Sequence, residues 1–254
     1  MNAEEIKKIH AEIIEWIKNW FADKGNAPAV IGVSGGKDST VCAALLTEAL
    51  GKERVIPVLM PNGEQKDISD SREVCRILGL NPVEINIGKA YNAITEEIKE
   101  KAGVAEFKPL YTTNTPARLR MVTLYGIAAQ NGGFVCNTCN LSEDYIGYST
   151  KWGDAAGDFS LLCRLTKTEV CQLGDELNLP EHLVHKVPSD GMCGKSDEDN
   201  LGFTYAELDK FIRNKEYQLS PETKAKVERM HNHPNTKKKC IVLESPLEWL
   251  PAAF

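Results

Sequence analysis

The apolar positions of this chain alternate between two periods. Ile6, Ile9, Ile13, Ile14, Ile17, Trp20 and Phe21 recur at helical spacing and predict an amphipathic helix over residues 4–23, ending near Gly25. Val30, Ile31 and Val33 then read as a short buried strand. Ser34, Gly35 and Gly36 allow a sharp turn after it, and Asp38 and Ser39 open a helix that runs over residues 40–50 to Gly51. The alternation continues with a strand over 54–60, a helix over 67–78 that Asp67, Ser69 or Asp70 can cap, a strand over 83–87 and a helix over 89–101. A less regular stretch over 109–113 precedes a helix over 117–130 and a fourth strand over 133–137. Strands joined by helical crossovers run parallel, so the expected fold is α/β, a doubly wound and mainly parallel sheet flanked by helices. Such sheets bind ligands at the carboxyl ends of their strands. A crevice between strands one and four would bring Asn137 and Thr138 beside residues 34–39.

Composition narrows the classes. A chain of 254 residues with 42% hydrophobic content can bury the core of one domain, which is the expectation for residues 1–254. Its 30 basic and 36 acidic residues give a net charge of -6, a poor match to a partner gripped through many phosphates, so nucleic acid is not expected. No apolar run approaches a membrane span, and residues 1–8 lack the apolar segment of a signal peptide, so no membrane is expected and the chain reads as cytoplasmic. Its eight cysteines are scattered, several inside apolar segments, as buried thiols of a reducing compartment are. Cys136 and Cys139 form a C-x-x-C, which by itself suits zinc, an iron–sulfur cluster or a redox pair.

The chemistry concentrates in two stretches. In V-I-G-V-S-G-G-K-D-S, residues 30–39, two glycines free successive N–H groups to face an anion at a helix N-terminus. The spacing is not that of a Walker A loop. The second stretch, residues 137–158, is rich in carboxylates and hydroxyls without an amphipathic period and reads as a functional loop. Asp38 and Glu143 would supply two hard oxygen ligands of the kind Mg²⁺ takes alongside nucleotide phosphates.

S-G-G-K-D-S resembles the pyrophosphate loop of the ATP pyrophosphatases, and ordered blocks along the chain resemble the ammonia-dependent NAD synthetase family. They are G-V-S-G-G-K-D-S at 32–39, N-T-P-A-R-L-R-M at 114–121, N-T-C-N-L-S-E at 137–143 and G-Y-S-T-K-W-G-D at 147–154. L-T-K-T-E-V at 165–170, K-V-P-S at 186–189 and D-E-D-N-L-G-F-T-Y at 197–205 continue the series. The resemblance implies a Rossmann-like sheet of the adenine nucleotide alpha hydrolase kind. It also implies an ATP-driven amidation, in which the nicotinate carboxylate of deamido-NAD attacks the α-phosphate and ammonia then displaces AMP. Carried over position by position, Gly32, Val33, Ser34, Gly35, Gly36, Lys37, Asp38 and Ser39 hold ATP, with Thr138, Lys167 and Ser189 also contacting it. Asp38 and Glu143 hold Mg²⁺, and these two with Lys167 are the expected catalytic residues. Arg118, Lys151, Asp158 and Lys237 fall on positions that bind deamido-NAD.

Two departures stand out: Asn137-Thr138 replaces a usual Gly-Thr, and the tail places Thr236 and Lys237 where a His-Lys pair is usual. With 29 residues before the first strand and no amidase domain, free ammonia is the expected nitrogen source. A homodimer is also implied, with the stripe of residues 6–21 and the helix over 115–130 as candidate surfaces. Two rival assignments share the loop. One is a tRNA-thiolating pyrophosphatase, in which Cys136, Cys139 and Cys163 would bind a cluster; the other is a non-catalytic nucleotide sensor. The acidic balance and the lack of a basic, aromatic-studded stretch weigh against the first, and the paired carboxylates with Lys167 against the second.

Overall fold

The computed structural model describes residues 1–65, 67–186, 197–233 and 243–253. Helix α1 (Ala3–Asp23) starts at a capping box in which Asn2 accepts from Glu5 N while the Glu5 side chain accepts from Asn2 N. Strand β1 (Ala29–Gly32), helix α2 (Lys37–Leu50) and strand β2 (Val55–Leu59) form the first crossover, followed by α3 (Ile68–Ile77), the two-residue β3 (Val83–Glu84) and α4 (Gly88–Lys101). Helix α5 (Pro109–Asn131), β4 (Phe134–Asn137), α6 (Leu141–Ile146), β5 (Phe159–Ser160) and α7 (Lys167–Glu176) complete the sheet and its cover. The short α8 (Glu181–Val184) packs on α2 and α7, and after the short α9 (Asp197–Leu201) the longer α10 (Tyr205–Arg213) packs on α6 and α7 and α11 (Pro221–Asn232) on α6.

All strand pairs are parallel, in the order β3-β2-β1-β4-β5. The chain therefore winds outward from β1 to β3 and then returns to β1's other side with β4. That reversal splits the crossovers between the two faces and opens the expected crevice between β1 and β4. Alternation along β1 feeds two cores: Ala29 and Ile31 join the one built with α1, α2 and α7, whereas Val30 packs with Val58, Val135, Met121 and Leu124 beneath α5.

The stripe of α1 belongs wholly to the chain's own interior. Ile6, Ile9, Ile13, Ile17 and Phe21 are all buried in the first core, so this stripe offers no face to another subunit. Helix α5 starts earlier than the pattern suggested. Pro109 sits in its first turn, where a missing N–H costs nothing, and the helix carries through the buried Pro116 despite one lost rung. The polar segment over 137–158 contains α6, whose capping box pairs Asn140 with Glu143, and leads directly into β5, too short to leave a period. No helix among the described residues is long and apolar enough to cross a membrane.

Candidate active site

The loop after β1 closes on itself. Ser34 N donates to Ser39 Oγ at 3.2 Å, Gly36 N donates to Ser34 Oγ at 3.2 Å, and Thr40 Oγ1 donates to Gly36 O at 2.8 Å. Gly35 has φ +78°, and a Cβ there would lie 2.8 Å from Asp70 Cβ and from Ser71 N, so both conformation and space require glycine. The loop ends at the N-terminus of the 14-residue α2, whose first turn carries Lys37, Asp38 and Ser39.

Across the crevice, the capping box of α6 fixes the second half of the site. Asn140 Nδ2 donates to Asp38 Oδ1 at 2.9 Å, and Glu143 Oε1 accepts from Lys167 Nζ at 2.8 Å. Lys167 is only 4% exposed, with Asp197 Oδ2 at 3.7 Å and the Tyr205 ring centroid at 3.8 Å from its ammonium. Burial and the neighbouring Glu143 charge push the Asp38 carboxyl up to about 6, against the pull of Lys167 and Lys37. Burial works against charge on Lys167, but Glu143 and Asp38 overrule it and hold the ammonium well above its ordinary range. One lysine thus sits between two carboxylates that repel each other.

A buried bracket positions this group. Asp209 Oδ1 accepts from Ser142 Oγ, its Oδ2 accepts from Thr168 N at 2.7 Å and Oγ1 at 2.6 Å, and Ser142 Oγ accepts from Lys167 N at 2.9 Å. The first turns of α6 and α7 are therefore tied together, which fixes Glu143 relative to Lys167. Asn140, Asp209 and Tyr205 escaped the sequence reading. The N-x-x-E spacing at 140–143 was a legible cap signal for the first, but nothing local marks Asp209. Lys186 was also missed: its Nζ lies 2.6 Å from Asp70 Oδ2, on the residue that packs against Gly35.

The expected acceptor-binding residues are partly assembled. Arg118, on α5, donates from Nε to Lys151 O at 3.2 Å, so these two stand together on an exposed rim. Asp158 is engaged elsewhere in part, its Oδ2 accepting from Val135 N at 2.7 Å. Thr138 lies half-buried at the turn after β4. Ser189 and Lys237, with Thr236, fall outside the described residues.

Asn137 has a structural task. Its Nδ2 donates to Asp154 O at 2.8 Å and Ala156 O at 3.0 Å, and its Oδ1 accepts from Cys139 N at 2.9 Å. The side chain thus pins residues 154–156 to the end of β4. Cys136 and Cys139 are buried thiols that donate to Asn137 O and Asp154 O, and burial pushes the Cys139 thiol up, away from nucleophilic or ligand chemistry. Among the described residues, no group of three or more His, Cys, Asp or Glu side chains is arranged to hold a metal.

Comparison with known proteins places this geometry. The family model described as NAD synthase matches residues 9–242. The chain is 39% identical over 205 residues to the NH(3)-dependent NAD(+) synthetase of Pyrococcus horikoshii, covering 79% of this chain and 77% of that one. It is 33% identical over 231 residues to the Mycoplasma genitalium protein of the same name, covering 86% and 92%. Among solved structures, the NMN synthetase from Francisella tularensis superposes with a TM-score of 0.83 at 31% identity, covering 93% of this chain and 97% of that one. The NH3-dependent NAD synthetase from Campylobacter jejuni does so with a TM-score of 0.75 at 27% identity, covering 96% and 99%.

Proposed function

The chain belongs to the NAD synthase family, and on that premise we propose that it amidates deamido-NAD with ammonia, converting ATP to AMP and pyrophosphate. The observation that carries this reading is the group of Asp38, Asn140, Glu143 and Lys167, half-buried to buried, set at the β1–β4 crevice beside an anion loop. A carboxylate is a poor acyl donor, so the nicotinate oxygen first bonds the α-phosphorus while the bond to the β-phosphate oxygen breaks. Ammonia then adds at the acyl carbon, loses its proton, and AMP leaves with the electron pair of the C–O bond. The loop over 32–39 and the N-terminus of α2 orient the phosphates, and Lys167 holds a fixed positive charge where negative charge develops. Thr138 and Ser189 are proposed as further ATP contacts, and Arg118, Lys151, Asp158 and Lys237 as acceptor contacts.

Asp38 and Glu143 suit Mg²⁺: both are hard oxygen donors, and the burial and Glu143 repulsion that raise Asp38 are what a divalent cation would offset. The rest of the shell would come from phosphate and water. When bound, the ion supplies charge neutralisation at the phosphates. Residues 1–254 are proposed to act as one synthetase unit in the cytoplasm, taking free ammonia. A homodimer is proposed through α5, which exposes Leu110, Val122 and Tyr125.

A second reading differs only in the acceptor. The Francisella tularensis relative is an NMN synthetase, so nicotinate mononucleotide is the alternative substrate. Incubating the protein with ATP, Mg²⁺, ammonium and each acceptor, and separating the products by chromatography, decides both. Faster amidation of deamido-NAD supports the main reading, and faster amidation of the mononucleotide supports the second. ADP and phosphate as products contradict both.

A further inference from the structure

Among the described residues, four other than glycine have positive φ, and three are unremarkable in type or setting: Asn26 and Asn178 are amides that tolerate this region, and Leu247 is buried. Trp152 is different. It has φ +64° and is 61% exposed, a bulky aromatic held in a costly conformation with its ring in solvent.

The surroundings over-determine that turn. Thr150 O accepts from Gly153 N at 2.8 Å and Ala155 N at 3.2 Å, and Thr150 N donates to Asp154 Oδ1 at 2.9 Å. Thr150 Oγ1 donates to Asn114 Oδ1 at 3.0 Å, and a Cβ on Gly153 would lie 3.0 Å from Ala117 Cβ. The turn is therefore clamped to α5 on both sides of Trp152, one residue from Arg118. Lys151 Nζ stands 5.1 Å from the indole centroid, and Arg118 Nε bonds the Lys151 carbonyl. A rigid, exposed aromatic ring with the Lys151 ammonium over it and Arg118 bonded to the adjoining carbonyl matches a nucleotide, an aromatic base joined to anionic phosphate. Exposed Trp249 also has a cation over its ring, Lys8 Nζ at 5.4 Å, but its Nε1 donates to Glu12 on α1 and its backbone is not in the left-handed region.

We propose that Trp152 is a stacking platform for an aromatic ring of the acceptor nucleotide, an inference that rests on the amidation reading above. The ring is either the pyridine or the adenine, and the acceptors themselves separate the two.

The test uses the full chain, its Trp152→Gly and Trp152→Phe variants, and a Trp249→Phe control. Deamido-NAD should quench indole fluorescence in the wild type and the control but not in Trp152→Phe. Quenching by nicotinate mononucleotide as well assigns the pyridine ring, and quenching by the dinucleotide alone assigns adenine. Trp152→Gly relieves the backbone strain, so its melting temperature should hold or rise while KM for the acceptor rises about tenfold, the size of one base–aromatic stack. The kcat and the KM for ATP should change by less than about twofold. A merely structural tryptophan would give the opposite pattern, lower stability with KM unchanged, and that result overturns the proposal. So does a Trp152→Gly protein that halves its mass in light scattering while keeping its acceptor KM, which would make Trp152 a subunit contact. If the wild type amidates neither acceptor, the functional reading falls, and the quench titration, which needs no turnover, still decides the stack: absence of quenching by both acceptors ends it.

Discussion

Two lysines of this protein sit in opposite surroundings. Lys167 is sealed between Glu143, Asp197 and the Tyr205 ring, with its backbone held by the Asp209 bracket. Lys151 stands on an exposed turn beside Arg118 and Trp152. The first environment fixes a charge before any ligand arrives and suits transition-state stabilisation. The second leaves cations and an aromatic face open, and suits recognition. The crevice should therefore govern kcat and the rim should govern KM.

The largest effect is expected at the carboxylates. Asp38→Asn and Glu143→Gln keep size and lose charge, and each should slow adenylation by about a hundredfold or more. The double variant should be little worse than either single one if both act through one ion. Rapid-quench assays of AMP formation check this, and near-normal rates in Glu143→Gln at limiting Mg²⁺ would break the assignment. Next comes Lys167→Met, which strands Glu143 beside Asp38. Breaking a buried pair costs roughly 3–5 kcal/mol, so chemical denaturation should show a large loss of stability along with lower kcat. Arg118→Ala or Lys151→Ala should raise the acceptor KM about tenfold with kcat little changed, as loss of uniform binding does. A fall in kcat at saturating acceptor would erase the contrast between rim and crevice.

The pH dependence is smaller. Burial, with Glu143 second, raises Asp38 to about 6 and Asp144 to about 7. Because both folded-state values exceed the unfolded ones, the stability these groups contribute is complete below pH ~4 and is lost as pH rises through their folded pKa values. The ligand-free protein should thus melt lower at pH 8 than at pH 5, and Asp144→Asn should shrink that difference. An unchanged difference would refute the role given to Asp144. The smallest effect belongs to the thiols. Cys136→Ser with Cys139→Ser preserves the donors to Asn137 O and Asp154 O, so activity should stay within about twofold and stability should fall by about 1 kcal/mol. A visible cluster absorbance in anaerobically purified protein, lost in this variant, would favour the thiolation chemistry instead.

Much of this was legible because its causes are local. The stripe of α1, the glycines at 35 and 36 and the strand–helix alternation follow from side-chain period and backbone freedom, and the order of β1 and β4 follows from the winding rule. The misses have non-local causes. β5 has two residues and is defined by distant partners, β4 on one side and Glu244 on the other. Helix α5 runs past Pro116 because packing beneath it outweighs one missing rung. Lys167, at a helix start, is equally consistent in sequence with a solvated cation, and only the approach of α6, α9 and α10 buries it. Asp209 and Lys186 act across 41 and 116 residues, a separation no local pattern records.

The division between crevice and rim is tested most directly by single-turnover adenylation without ammonium, following labelled AMP transfer to deamido-NAD in Lys167→Met and Lys151→Ala. The account predicts that saturating acceptor restores the Lys151→Ala rate to within about twofold of wild type and leaves Lys167→Met slow by about a hundredfold or more. A Lys167→Met enzyme that recovers at saturating acceptor, or a Lys151→Ala enzyme that does not, would contradict it.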